Sequence, residues 1–201
     1  PAQPIDTLAP TAQSLNPADN ATGVAIDANL VLTFSEAIQR GTGTVVLKTA
    51  AGATVATYDA ATSANLSLSG TTLTVNPSAN LAYASGYYLE IGALAVRDLA
   101  GNAFAGLSGS TAYNFTTAAP PDTTAPTVSF ADDTPGTASA SVTYTLSFSE
   151  AVTGLGSDDF TISNGTLSSI SGSGASYSVV VAPSANTEGT LGLSLKAGAV
   201  T

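Results

Sequence analysis

Apolar and polar residues alternate along most of this chain with the two-residue period of a half-buried β-strand. Leu30, Leu32 and Phe34 fall on one face of a strand within residues 24–34, and Val31 and Thr33 on the other. Residues 44–48 and 54–58 flank Ala51-Gly52 and predict a hairpin, and residues 66–68 and 71–75 flank Ser69-Gly70 and predict a second. Tyr87, Leu89 and Ile91 alternate on the next strand, as Tyr113 and Phe115 do on the last one of this half. Further on, Val128 and Phe130 mark a strand, and Val142, Tyr144, Leu146 and Phe148 give the strongest alternation of all. Phe160 and Ile162, Leu167 and Ile170, then Tyr177, Val179 and Val181, and finally Leu191, Leu193 and Leu195 continue the plan. Short strands with a turn signal roughly every ten residues, and no helical period, predict an all-β chain of antiparallel sandwiches.

The pattern occurs twice. Asp6-Thr7-Leu8-Ala9-Pro10-Thr11 returns as Asp122-Thr123-Thr124-Ala125-Pro126-Thr127, 122 − 6 = 116 residues later. Phe34-Ser35-Glu36-Ala37 returns as Phe148-Ser149-Glu150-Ala151, Pro77-Ser78-Ala79-Asn80 as Pro183-Ser184-Ala185-Asn186, and Ala95-Val96 as Ala199-Val200. Two modules follow, residues 1–118 with an extended lead-in and residues 119–201, joined by a short linker around Pro120-Pro121. Consecutive prolines favour an extended, semi-rigid path. The last repeat has an offset of 199 − 95 = 104, which maps the end of module one at Thr117 to position 221. Module two is therefore expected to lack its last strand. With no initiator Met, the chain reads as a piece excised from something longer.

Composition narrows the function. Fourteen acids face four bases, Arg40, Lys48, Arg97 and Lys196, for a net charge of −10. That balance argues against nucleic acid or an anionic membrane as partner. No Cys and no His are present, so there is no disulfide framework, no thiolate metal site and no imidazole base. No apolar run approaches a membrane span. No nucleophile–base pair, phosphate loop or cofactor motif appears, so no enzymatic activity is expected. The adjacent Asp158 and Asp159 do not make a glycosidase pair, because neighbouring strand residues point to opposite faces.

Residues 17–24 (Pro-Ala-Asp-Asn-Ala-Thr-Gly-Val), the run Leu32-Thr33-Phe34-Ser35-Glu36-Ala37 and Asp98-Leu99-Ala100-Gly101-Asn102 resemble the bacterial Ig-like domain of S-layer-type surface proteins. Residues 145–154, Asp159-Phe160 and residues 196–201 resemble another bacterial Ig-like repeat, common in type I-secreted adhesins of the RTX kind. In that family the sequence after Val-Thr is typically Asp-x-x-Gly-Asn, and this chain ends just before it. The resemblance implies tandem immunoglobulin-like sandwiches at the bacterial cell surface, extracellular, non-catalytic and monomeric. Their partners would be neighbouring Ig-like domains of the same chain, and a host or matrix protein or glycan. Leu81, Ser85 and Tyr87 resemble a tyrosine corner, in which the Tyr87 hydroxyl meets backbone near Leu81 or Tyr83; otherwise Tyr87 is a plain core aromatic.

Strand order places the candidate chemistry. In a seven-strand sandwich the start of the first strand, the end of the second and the loop before the last share one pole. In module one that pole holds Asp6, Glu36 and the loop from Asp98 to Asn102; in module two it holds Asp122, Glu150 and Asp158 or Asp159. Converging carboxylates without bases suit calcium, which takes six to eight oxygen ligands in flexible geometry. Zinc is disfavoured without His or Cys. Each residue also has a plain structural reading: Asp6 and Asp122 as Asx turns, Glu36 and Glu150 as solvated strand ends, Asp98 as a cap on the turn at Gly101. Asp19, Asp27, Asp132 and Asp133 fall toward the other pole and are expected to play surface roles. Three functions compete: an adhesive stalk stiffened by calcium at the linkers, a ligand- or glycan-binding module, and a non-catalytic spacer of a secreted hydrolase.

Overall fold

The computed structural model describes residues 5–134, 138–185 and 188–201, so Pro1 to Pro4 of the lead-in and Asn186 of the repeated Pro-Ser-Ala-Asn run lie outside the described residues. The chain divides into two compact units, Pro1–Pro121 and Asp122–Thr201.

Unit 1 contains β1 (Ala12–Asn16), β2 (Ala21–Val24), β3 (Leu30–Phe34), β4 (Ile38–Arg40), β5 (Thr44–Thr49), β6 (Thr54–Asp59), β7 (Leu66–Ser69), β8 (Thr72–Val75), β9 (Gly86–Ile91), β10 (Val96–Asp98) and β11 (Asn114–Thr117). One sheet runs β1-β3-β8-β7 and the other β2-β11-β9-β5-β6, with β10-β4 as a small ribbon. Both expected hairpins form, β5 with β6 and β7 with β8. The alternation works as a sorting device: Leu30, Leu32 and Phe34 point inward to Leu73, Val75, Leu89 and Phe115, all buried. Across the register Leu32 lies opposite Leu73 on one side and Leu15 on the other. The opposite face of the same sheet carries a row of hydroxyls, Ser14, Thr33, Thr72 and Ser69, in register on four strands. Tyr87 is a tyrosine corner: its hydroxyl accepts from the Ala82 N–H at 3.0 Å, between the two positions expected. One strand pair departs from the antiparallel expectation: β11 pairs with β2 in parallel, with Phe115 opposite Ala21 and Thr117 opposite Val24.

Unit 2 contains β12 (Val128–Asp132), β13 (Val142–Val152), a 3-10 turn (Ser157–Asp159), β14 (Phe160–Ser163), β15 (Gly165–Pro183) and β16 (Gly192–Leu195). Its sheets run β12-β13-β15 and β14-β16. The long β15 folds back on itself at Gly172 and Gly174, both at positive φ. Gly165 consequently lies against Val181 and Ala182, Gly172 against Ser176 and Tyr177, and Ser184 N–H donates to Asn164 O at 2.9 Å. The segments around Leu167 and around Val179 are thus the two arms of one hairpin.

The register of unit 2 copies that of unit 1. Tyr144 opposite Val179 and Leu146 opposite Tyr177 match Leu30 opposite Val75 and Leu32 opposite Leu73. Phe160 opposite Leu195 and Ile162 opposite Leu193 match Val45 opposite Ile91 and Leu47 opposite Leu89. Burial is shallower, however. Leu146, Phe148 and Val179 are buried as expected, whereas Tyr144 and Leu193 are only half-buried and Phe130 is exposed. The cause is coverage. In unit 1 β9 is flanked by β5 and β11, whereas among the described residues β16 pairs with β14 alone. Asp158 and Asp159 sit in the 3-10 turn, not on a strand, and Asp159 accepts from the Gly156 N–H at 2.7 Å.

The cores are separate, so mutations should be too. Leu32→Ala, at a fully buried site, is expected to cost unit 1 about 2–5 kcal/mol, and Tyr87→Phe about 0.5–1.5 kcal/mol. Urea denaturation followed by hydrogen exchange should show both losses in residues of unit 1, with the exchange of unit 2 unchanged.

Candidate metal centre

Three segments far apart in sequence bring carboxylates to one pole of unit 1. The extended lead-in supplies Asp6, the turn between β3 and β4 supplies Glu36, and the end of β10 supplies Asp98. One carboxylate oxygen from each lies within 4.8 Å of the others. Calcium binds oxygen at about 2.3–2.6 Å, so opposite ligands of one ion stand up to roughly 5 Å apart. The three carboxylates therefore fit around a single ion of that size.

The sequence positions each group locally. Asp6 makes an Asx turn, accepting from the Leu8 N–H at 3.0 Å. Ser35 fastens the lead-in by accepting from the Thr11 N–H at 3.0 Å while its own N–H donates to Thr11 O at 2.9 Å. That clasp places Asp6 next to Glu36. Asp98, 1% exposed, is the buried member. Its carboxylate accepts from the Asn102 N–H and from Asn102 Nδ2, both at 2.7 Å, across a turn that Gly101 closes at φ +100. Asn102 Nδ2 also reaches Asp6 O at 3.2 Å, so one amide ties the loop to the lead-in. The turn and cap readings of Asp6 and Asp98 are realised together with the convergence, because each uses only part of the carboxylate's acceptor capacity.

Electrostatics separates the three. Burial pushes the Glu36 carboxyl above its ordinary range, and the charges of Asp6 and Asp98 push it the same way. Burial also pushes Asp98 upward, but hydrogen bonds from Asn102 and from the backbone N–H groups of Gly101 and Ala100 outweigh it and hold the carboxyl low. Among the described residues no base makes an ion pair with these three carboxylates. Arg40 donates to the carbonyls of Ala60, Ser63 and Leu66, and Lys48 pairs with Glu90 at 2.6 Å. Arg97 donates to Gly101 O at 3.3 Å and Lys196 to Asp158 O at 2.6 Å. The pole is a negative cluster that a divalent cation would neutralise.

The matching pole of unit 2 repeats the local devices. Thr124 N–H donates to Asp122 at 2.9 Å, and Thr127 N–H to the Ser149 hydroxyl at 2.9 Å. Asp122 and Glu150 face one another. Hydrogen bonds from Thr124 and Glu150 lower the Asp122 carboxyl, whereas burial and then the Asp122 charge raise Glu150. Glu150 Oε1 is buried with no hydrogen-bond partner. Thr201 and Thr153 exchange backbone hydrogen bonds at 2.8 and 3.1 Å, the pairing that Arg97 and Gln39 make in unit 1. In that register the counterpart of Asp98 is the position after Thr201.

Sequence reasoning gave Asp19 a surface role. It is exposed, yet it bridges strands: its Oδ1 accepts from the Asn114 N–H at 2.9 Å and from Asn114 Nδ2 at 3.1 Å. Only the family-like run from Pro17 to Val24 marked it.

Tandem all-β sandwiches with tethered lead-in segments, and in unit 1 the loop from Asp98 to Asn102, define an immunoglobulin-like class of module. Two family models, each described as bacterial Ig-like domain, match residues 6–117 and 122–201. The chain belongs to the bacterial Ig-like domain family, as two such domains in tandem. No curated protein matches it.

The two opposed shifts generate a pH test in cation-free buffer. Glu36, raised in the folded state, contributes stability below its ordinary value of 4.5 that is lost as pH rises through its folded pKa. Asp98, lowered, contributes stability above 3.8 that is lost as pH falls through its folded pKa. Glu36→Gln should therefore raise the melting temperature of unit 1 at neutral pH, with the gain vanishing near pH 4. Asp98→Asn should lower it at neutral pH, with the deficit shrinking in acid.

Proposed function

We propose that this chain is a non-catalytic structural segment of a large extracellular bacterial surface protein of the adhesin kind, and that a bound calcium ion secures its carboxylate pole. Bacterial Ig-like domains often occur in extracellular or surface proteins, and no helix among the described residues is long and apolar enough to cross a membrane. The observation that carries the reading is the convergence of Asp6, Glu36 and Asp98 within 4.8 Å, with no ion pair from a base to any of the three among the described residues.

The ion's contribution is electrostatic and geometric. It replaces mutual repulsion by shared attraction, and it joins Asp6 of the lead-in to the body of unit 1 by more than the Ser35 and Asn102 contacts. A lead-in so fastened transmits direction to whatever chain precedes it. In unit 2, Asp122 and Glu150 offer two carboxylates of the same kind. The role is one of spacing and presentation; recognition of a host or matrix component belongs to other parts of such a protein.

Calcium titration tests this. Extracellular modules bind calcium with Kd of about 10⁻⁴–10⁻³ M, and at tenfold excess over Kd one site adds about 1.4 kcal/mol of stability. Isothermal calorimetry should show binding in the chain, with the unit 1 melting transition rising by several degrees. Asp98→Ala should abolish that rise and Asp122→Ala should leave it. Absence of both heat and melting shift in the unaltered chain would overturn the calcium reading.

A further inference from the structure

We infer that Asn164-Gly165 is a self-modifying site. The chain converts there, without any enzyme, to isoaspartate and aspartate through a succinimide, and the closed turn of unit 2 sets the rate. The inference goes beyond the calcium reading and involves none of its carboxylates. This is the one Asn-Gly pair in the sequence. In such a pair the backbone nitrogen of the glycine attacks Cγ of the asparagine. The nitrogen gives up its proton to solvent base, the new C–N bond closes the succinimide ring, and Nδ2 departs as ammonia. Water then opens the ring. Addition at Cγ leaves an aspartate; addition at the main-chain carbonyl leaves an isoaspartate, with the backbone routed through Cβ. One water is consumed and one ammonia released. Any side chain on the second residue hinders the attack, and glycine has none.

The fold itself requires this pair. The turn between β14 and β15 holds Asn164 at φ +57, a left-handed conformation that Asn and Gly adopt most readily. At the next position a Cβ would stand 2.5 Å from Leu191 Cδ1, 2.8 Å from Ala182 O and 3.0 Å from Val181 Cγ1, so only glycine fits. Conformation at one residue and space at the next thus place this reactive pair on an exposed turn.

The same turn also restrains the reaction. Asn164 Nδ2 donates to Thr190 O at 2.8 Å, and Gly189 backs onto that amide so closely that a Cβ there would lie 2.8 Å from Nδ2. Asn164 O accepts from the Ser184 N–H at 2.9 Å. Side chain and main chain of one residue are thus tied to two different segments. Swinging Cγ onto the Gly165 nitrogen breaks the Thr190 bond, so conversion proceeds through local opening of the turn. The product does not close again in the same way. A carboxylate has no proton to donate to Thr190 O, which leaves acceptor against acceptor. It also joins Asp132 and Glu188 around one cavity whose described lining carries no base. Conversion therefore loosens unit 2 and leaves unit 1 as it was.

Incubation of the full chain in warm, mildly alkaline buffer, followed by peptide mapping with mass spectrometry, tests the inference. In the native chain isoaspartate should build up at Asn164. In urea the conversion at Asn164 should run ahead of every other asparagine and be at least about tenfold faster than in the native chain, since opening is no longer required. Gly189→Ala, which crowds Nδ2 off Thr190 O, should speed the native reaction and leave the urea rate unchanged. Asn164→Gly keeps the left-handed turn and should release no ammonia there. Asn164→Asp should lower the melting temperature of unit 2 alone. The inference is overturned if Asn164 stays intact in the native chain while the urea-unfolded chain converts fully, or if native and urea rates agree. It is overturned equally if another asparagine converts first in urea, if Gly189→Ala leaves the native rate as it was, or if Asn164→Asp melts like the unaltered chain. None of these results bears on the cation site of unit 1.

Discussion

The register of the central strand fixes both units. In unit 1, β3 holds Leu32 opposite Leu73 and Leu15; in unit 2, β13 holds Leu146 opposite Tyr177 and Phe130. Because side chains alternate between faces, a slip of one residue would turn Leu30, Leu32 and Phe34 to water and the Thr33 hydroxyl into the core. The same slip would carry Glu36, two residues past the end of β3, away from Asp98 and Asp6. Core and carboxylate pole are thus set by one choice of hydrogen-bond partners. The clasp between Thr11 and Ser35, repeated between Thr127 and Ser149, marks the point where that choice extends into the lead-in.

Much of this was legible in the sequence. Period-two alternation located β3, β5 to β9, β13 and β16, and the repeated runs around Phe34 and Phe148 aligned the two halves. The convergence of Asp6, Glu36 and Asp98 followed from strand order alone, since position at a pole depends only on direction and connectivity. What stayed hidden depends on tertiary partners. Tyr113 and Phe115 marked β11, but β2 is only four residues long, too short for a periodic signal, and the parallel pairing of the two joins residues almost a hundred apart. Asp19 looked like a surface acid because nothing local reveals that Asn114 comes to rest beside it. Tyr144 and Leu193 alternate as well as Leu30 and Leu89 do, but alternation reports which face is apolar and not how many strands cover it.

The two units share one plan. Unit 1 has wide sheets, a deep core with Phe34 edge-on to Phe104 at 5.1 Å, and a completed pole. Among the described residues unit 2 keeps the register, the Asx turn and the clasp, and it brings Asp122 and Glu150 together. Glu150 there has a buried oxygen with no hydrogen-bond partner.

The commitment of the bases has a colloidal consequence. Arg40, Arg97 and Lys196 donate to backbone carbonyls, and among the described residues the ion pair is that of Lys48 with Glu90. Most carboxylates are left as free surface charge on a chain of net −10. Meanwhile β7, an outer strand of its sheet, is Leu-Ser-Leu-Ser, with neither the Lys nor the Pro that guards many such edges. Arg40 covers the Leu66 carbonyl, and a long-range field adds to it: copies brought side by side repel before their strands can meet. That field weakens as salt shortens its reach. Dispersal of this chain at high concentration is then a property of the medium as much as of the fold.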